Sequence, residues 1–256
     1  MNTKSSKKYL SVTTIVTMLL MTSVSYAEEF EATLRWSQRV EMSAPVNGVV
    51  QDVFAVAGKI VAKGETLIQL DPRGFVADLN FAKAAVKNAD EQNQEFKREL
   101  DRQTDMYDRT MLSEHDLQVA KNNYTGSTAK LSQAKAKLTK AKLNLEYSAV
   151  RAPFNAIVIK TTATKGQVVA VALNPPVLVV LAEANRMIAR FYSGQALLSK
   201  MTTGQGVKVM VDGERYQGKI QSIALEPEKL TQYAVDVIFD SSKNIMRAGQ
   251  KAKIEL

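Results

Sequence analysis

His115 is the single histidine of the 256 residues, and there is no cysteine. Those two counts settle most of the available chemistry. Without Cys there is no disulfide, thiol nucleophile, Cys-held zinc or iron–sulfur cluster. One His leaves little room for a His-based metal site or a Ser-His-Asp relay. His115 lies between Ser113-Glu114 and Asp116, where a helix begins, so it reads as a solvated surface residue rather than a base. No G-x-G-x-x-G, P-loop, G-x-S-x-G or H-E-x-x-H run occurs. The Met residues are scattered and form no Met/His cluster that would hold copper. Lys63 and Lys165 each precede a glycine in a turn, the place of the modified Lys in a lipoyl or biotin carrier. Neither has the flanking Met or Asp that such a carrier needs, and a long helical insert occupies the position between the halves. The expectation is a protein without enzymatic activity, metal or cofactor.

The elements around these residues are distinctive. From Arg73 to Ser148 there is no Pro, and Ala, Lys, Glu, Gln and Leu dominate, all good helix formers. Phe75, Leu79, Ala82, Val86, Ala89, Asn93, Phe96, Leu100, Gln103 and Tyr107 recur at 4-3 spacing, a heptad seam. Leu117, Ala120, Tyr124, Ser127, Leu131, Ala134, Leu138, Ala141 and Leu145 form a second seam. Between them Ser113 and Asp116 resemble a capping box, with Glu114 in the first turn. Helix one should end near Arg109 and helix two begin near Glu114. So short a link makes the helices antiparallel neighbours. Folding there pairs Leu100 with Tyr124, Phe96 with Ser127, Val86 with Leu138 and Leu79 with Leu145. Asn93 and Gln103 are polar seam positions that would set register at some cost in stability.

The flanks are β in character and repeat one unit. Ala44-Pro-Val-Asn-Gly-Val-Val50 and Gly58 match Ala152-Pro-Phe-Asn-Ala-Ile-Val158 and Gly166 at an offset of 108. Asn174-Pro175-Pro176 then adds a small insertion. Neither half can bury its own apolar face, so the two must pack on each other with the hairpin between them. From Glu183 to Leu256 short strands alternate with Gly-marked turns, Asp212-Gly213 among them, which predicts a small barrel. Glu29 to Met42 should supply it one more strand, and Ser193 to Lys200 a helical turn or two.

The N-terminus reads as a secretory leader. Lys4, Lys7 and Lys8 precede an apolar run from Ile15 to Met21, and Ser25-Tyr26-Ala27 fits a cleavage site. Removal takes away three Lys and no acid, leaving 31 basic against 26 acidic residues, a net charge of +5. The charge is spread along the chain without a dense basic cluster, so no nucleic-acid partner is expected.

The order of these segments resembles the periplasmic adaptor, or membrane fusion, proteins of tripartite efflux pumps, HlyD-like in type. The segments that carry the resemblance are Ala44–Pro72, Val150–Phe154, Lys165–Val168, Thr203-Gly-Gln205, Gly218 and Arg247-Ala-Gly249. The resemblance implies a mixed α and β fold: a lipoyl-like barrel-sandwich hybrid split by a long antiparallel coiled-coil hairpin, then a small β-barrel. Residues 1–27 would be the signal peptide, 44–72 and 149–182 the hybrid, 73–148 the hairpin, and 28–43 with 183–256 the barrel. It further implies a periplasmic protein, released by leader cleavage and associated with the envelope. Such an adaptor links an inner-membrane transporter, resistance–nodulation–division in type, to a TolC-like outer-membrane channel for efflux of small molecules. It would assemble as a ring-forming homo-oligomer such as a hexamer. Adaptors of an ABC-type exporter or a type I secretion system are the second reading. Family members that dock such channels carry Arg-x3-Leu-x6-Ser at the hairpin tip, and Arg102, Met106 and Ser113 fall at that spacing with Met replacing Leu. Ala156 stands where the family has Gly, which predicts an adjusted turn. Set against the family pattern, Leu256 is expected to fall at the barrel edge, before the membrane-proximal domain that many members add.

Overall fold

The computed structural model describes residues 28–172, 175–242 and 244–256. The leader, its cleavage after Ala27 and Asn174 of the insertion lie outside the described residues. In chain order come β1 (Glu29–Trp36), β2 (Arg39–Met42), β3 (Gly48–Val53), β4 (Ile60–Val61) and β5 (Thr66–Leu70). Two long helices follow, α1 (Arg73–Asp108) and α2 (Glu114–Tyr147). Then come β6 (Ala149–Arg151), β7 (Ala156–Thr161), β8 (Val168–Val169), β9 (Val179–Glu183) and β10 (Arg186–Gly194). The single turn α3 (Gln195–Leu198) leads to β11 (Gly206–Val211), β12 (Glu214–Ile223), β13 (Gln232–Asp240) and β14 (Lys251–Glu255).

Two four-stranded sheets, β2-β9-β7-β4 and β6-β5-β3-β8, form the sandwich. Its two halves are related by the repeat seen in the sequence. Ile60 pairs with Ile157 and Val61 with Ala156; 108 residues on, Val168 pairs with Val49 and Val169 with Gly48. Side chains obey the same relation. Asn155 Oδ1 accepts from the Lys63 N–H at 2.9 Å, and Asn47 Oδ1 from the Val171 N–H at 2.8 Å. Gly58 and Gly166 sit at φ +85° and +84°, where a side chain would be strained, and each N–H reaches across to the other half. Leu67 and Leu178 are equivalent, each accepting from two successive N–H groups, so the offset grows by three beyond the Asn174–Pro176 insertion. Val50, Leu67, Leu70, Val158, Leu178 and Leu181 fill the shared core. Ala156 is fully buried at the start of β7, and neither it nor its equivalent Gly48 has a positive φ.

The barrel is closed in the order β1-β10-β13-β12-β11-β14, which removes every free edge. Leu34, Phe191, Val209, Val237 and Ile254 fill it. A Cβ on Gly218 would lie 2.7 Å from Val237 Cγ1, so this strand needs glycine to let its neighbours close. Asp212 and Gly213, both at positive φ, make the two-residue turn between β11 and β12. One expectation needs correction. Residues 28–43 do not all belong to the barrel: β1 pairs with β10 and β14, but β2 pairs with β9 in the sandwich. The break falls at Ser37, whose hydroxyl engages Glu183 Oε2 and the Arg186 carbonyl, both at 2.8 Å.

The helices form the hairpin that the two seams require. All nine α2 seam positions are buried or half-buried, and Leu117, Ala120, Ser127, Leu131 and Ala141 are fully so. On α1, Ala82 is buried and Leu79, Val86, Asn93, Leu100 and Gln103 are half-buried. Phe96 departs from the pattern at 38% exposure, and Tyr107 is exposed too. Ser127, expected opposite Phe96, hydrogen-bonds Asn93 instead.

Candidate functional site

The hairpin tip is built from two opposed helix ends. At the end of α1 the Met111 N–H reaches the Met106 carbonyl at 2.9 Å, and the Thr110 N–H reaches Tyr107 at 2.8 Å. That is the Schellman pattern, which satisfies the last carbonyls of a helix. Its left-handed residue is ordinarily glycine; here it is Thr110 at φ 58°. A β-branched residue at positive φ is strained. At the start of α2, Ser113 Oγ accepts from the Asp116 N–H at 3.2 Å and donates to Asp116 Oδ2 at 2.6 Å. Glu114 and Asp116 place negative charge against the positive end of the α2 dipole.

Arg102 and Met106 lie one helical turn apart on α1, so they share a face. Arg102 is exposed, sits outside the seam and pairs with Glu99. Met106 is half-buried. Ser113 opens α2 beyond the link. Its hydroxyl is already engaged within its own helix end. His115 is exposed beside it. Between the helices just behind the tip is a cleft of about 290 Å³ lined by Glu99, Gln103, Leu112, Asp116, Val119 and Asn123. Gln103 Nε2 donates to Glu99 Oε1 at 2.6 Å, while its Oε1 is buried without a partner. Thr110 and Met111, the latter 70% exposed on the link, were not singled out from sequence, and Gln103 was read only as a polar seam position. A glycine at 110 would have signalled the left-handed turn; a threonine gives no such sign.

Lys165 is ion-paired with Asp52 at 3.0 Å, and Lys63 is tied through its backbone to Asn155. Among the described residues, no group of three or more His, Asp or Glu could hold a metal. None of their helices is long and apolar enough to cross a membrane.

The family model of the CzcB-like barrel-sandwich hybrid domain matches residues 38–178, which take in most of the sandwich and the whole hairpin. The chain belongs to this family of periplasmic adaptor, or membrane fusion, proteins. The adaptor is 27% identical over 223 residues to the macrolide export protein MacA of Yersinia pestis, covering 80% of this chain and 59% of that protein. It is 29% identical over 129 residues to the multidrug resistance protein MexA of Pseudomonas aeruginosa, covering 50% of this chain and 30% of that one. It therefore spans less than two thirds of the length of these relatives. Among solved structures, a MacA–MexA chimeric protein superposes with a TM-score of 0.68 at 22% identity, covering 89% of the adaptor and 77% of that chain. The membrane fusion protein Spr0693 of Streptococcus pneumoniae R6 gives 0.67 at 16%, covering 90% and 98%. At those identities the likeness is one of fold.

Proposed function

We propose that the protein is the periplasmic adaptor of a tripartite efflux assembly. Its sandwich and barrel would associate into a ring, a hexamer being one such closure, and its hairpins would reach a TolC-like outer-membrane channel. An inner-membrane transporter would drive the assembly, with small molecules as cargo. We read that transporter as resistance–nodulation–division in type, with an ABC-type exporter as the second reading. The relatives' names, macrolide export and multidrug resistance, support small-molecule cargo in either case. The protein would act by binding and bridging in the periplasm after its leader is removed.

The observation that carries this reading is the hairpin. At 1.5 Å per residue each helix runs roughly 50 Å, far more than the sandwich needs to cover its own core. A rigid rod loses little conformational entropy on docking, so its tip suits a contact with other helices. There Arg102 offers a planar fork to carboxylates or carbonyls, and Met106 an adaptable apolar contact. Ser113 keeps α2 in place beside them. Co-purification of the tagged protein from envelope extracts tests the reading. It requires recovery of both an outer-membrane channel and an inner-membrane transporter, and recovery of neither would reject it.

A further inference from the structure

Charge that is spread along the sequence becomes polarised once the hairpin closes. The root half of the rod, residues 73–89 with 130–147, holds eight basic and two acidic residues. The tip half, residues 90–121, holds five basic and nine acidic ones. Lys87, Arg98, Arg102 and Arg109 are each ion-paired to an acid of α1 three or four residues away, whereas among the described residues none of the α2 lysines has such a partner.

One side of the rod carries both signs. The cleft behind the tip places Glu99 of α1 on the same side as Asp116 and Val119 of α2. Along a heptad seam, residues seven apart keep to one side. Counted in sevens, Asp116 leads to Lys130 and Lys137, and Val119 leads to Lys140. Phe81 lies three heptads before Arg102, the ion-pair partner of Glu99. This side therefore has a carboxylate-lined cleft near the tip and, towards the root, three unpaired lysines and Phe81, which is 79% exposed.

The spacing of these groups is matched. Asn93 and Ser127, bonded across the seam, mark one level of the rod. At 1.5 Å per residue Lys137 lies about 15 Å to the root side of that level and Glu99 about 9 Å to the tip side. Phe81 lies about 18 Å to the root side and Val119 about 12 Å to the tip side. Both pairs are centred on one point, about 3 Å rootward of the clamp. A single two-fold axis through that point brings Lys137 to Glu99 and Phe81 to Val119 at the same time.

We propose that this side of the hairpin is a self-complementary surface on which two copies of the chain pair end for end. Lys137 of each copy meets Glu99 of the other, and Phe81 of each enters the cleft beside Val119 of the other. The contact is isologous, so each complementary pair occurs twice. Copies standing parallel set like charge level with like, so charge favours the antiparallel pair. Arg102 and Met106 stand on this same side, at heptad spacing from Phe81 and Glu99, and the pair covers them. The pairing itself rests on the hairpin alone. Its consequence, a resting form that withholds the tips until copies turn parallel in a ring, rests on the adaptor reading.

Sedimentation velocity on the purified protein tests the pairing. A dimer is expected at low salt, weakened at least about tenfold at high salt. Lys137→Glu and Glu99→Lys should each abolish it and keep the circular dichroism spectrum, since both positions lie outside the seam. Mixing the two variants should restore it, because each then carries the charge that the other needs. The sequence has no Cys, so cross-links can be placed at will. Oxidising a mixture of Phe81→Cys and Val119→Cys proteins should give a disulfide-linked pair; within one chain these positions are about 30 Å apart. Phe81→Cys alone should not link to itself, as it would between parallel neighbours. A monomer at protein concentrations up to about 0.1 mM overturns the proposal. So does a failure of the mixed variants to pair, or a disulfide formed by Phe81→Cys alone in place of the mixed one. Neither channel nor transporter is present, so failure here leaves the adaptor reading to its own test.

Discussion

Asn93 and Ser127 are bonded across the hairpin: Asn93 Oδ1 accepts from Ser127 Oγ at 2.8 Å, and from Thr128 Oγ1 at 2.9 Å. Both hydroxyls also lie on the Tyr124 carbonyl, so one acceptor on α1 is clamped to one turn of α2. Apolar seam layers can slide by a heptad with little penalty, whereas this clamp has one position. Asn93→Ala should cost about 1 kcal/mol, since the hydroxyls keep Tyr124 as a partner. Asn93→Leu should raise the melting temperature while loosening register. Paired cysteines placed across the seam would read this as disulfides forming at more than one spacing.

The seam and the sheets should be separable. Leu100→Asp puts a carboxylate in an apolar layer, at a cost of several kcal/mol. Helical circular dichroism should fall, while the fluorescence of Trp36, the one tryptophan, stays native at the barrel–sandwich junction. A joint loss of both signals would mean that the hairpin is required for the sheets to fold.

These two cases also mark what the sequence could tell. The α2 seam is legible because every layer position is apolar or small. The α1 seam is less so, because heptads count residue types and cannot reveal that Asn93, not Phe96, takes Ser127. The half-repeats are legible to the level of single hydrogen bonds, since Asn47 and Asn155 stand at the fixed offset. The split of Glu29–Met42 is not. Its alternation runs through Ser37 without Gly or Pro, and the break depends on Glu183 and Arg186, distant in sequence. Arg102 and Met106 lie in the last turns of α1 and Ser113 caps α2, but the positive φ of Thr110 on the link and the missing partner of the Gln103 oxygen in α1 arise from the folded geometry and leave no trace in residue type.

Thr110→Gly should relieve the left-handed strain and stabilise the hairpin by roughly 1 kcal/mol. Thermal unfolding followed by helical signal checks this. If stability falls, the threonine side chain makes a contact that outweighs its backbone cost.

The root of α1 has a pH-sensitive anchor. The Arg73 guanidinium, and then the Arg73 N–H, bind Asp71 and hold its carboxyl down from 3.8 to about 2. The folded value lies below the unfolded one. The stabilisation is therefore complete above about pH 4 and is lost as pH falls towards 2. An NMR titration should find the Asp71 midpoint near 2, and Arg73→Gln should move it up towards 3.8.

The most direct test of the adaptor account is cross-linking at the tip. A photo-reactive residue in place of Met111 should capture an outer-membrane channel in intact cells. The same residue with Arg102→Asp should leave expression, folding and export unchanged, because Arg102 lies outside the seam. The account predicts that the cross-link and drug efflux both disappear in that variant. A cross-link and efflux that persist in a stably expressed Arg102→Asp protein would contradict it, leaving Ser113 as no more than the cap of α2.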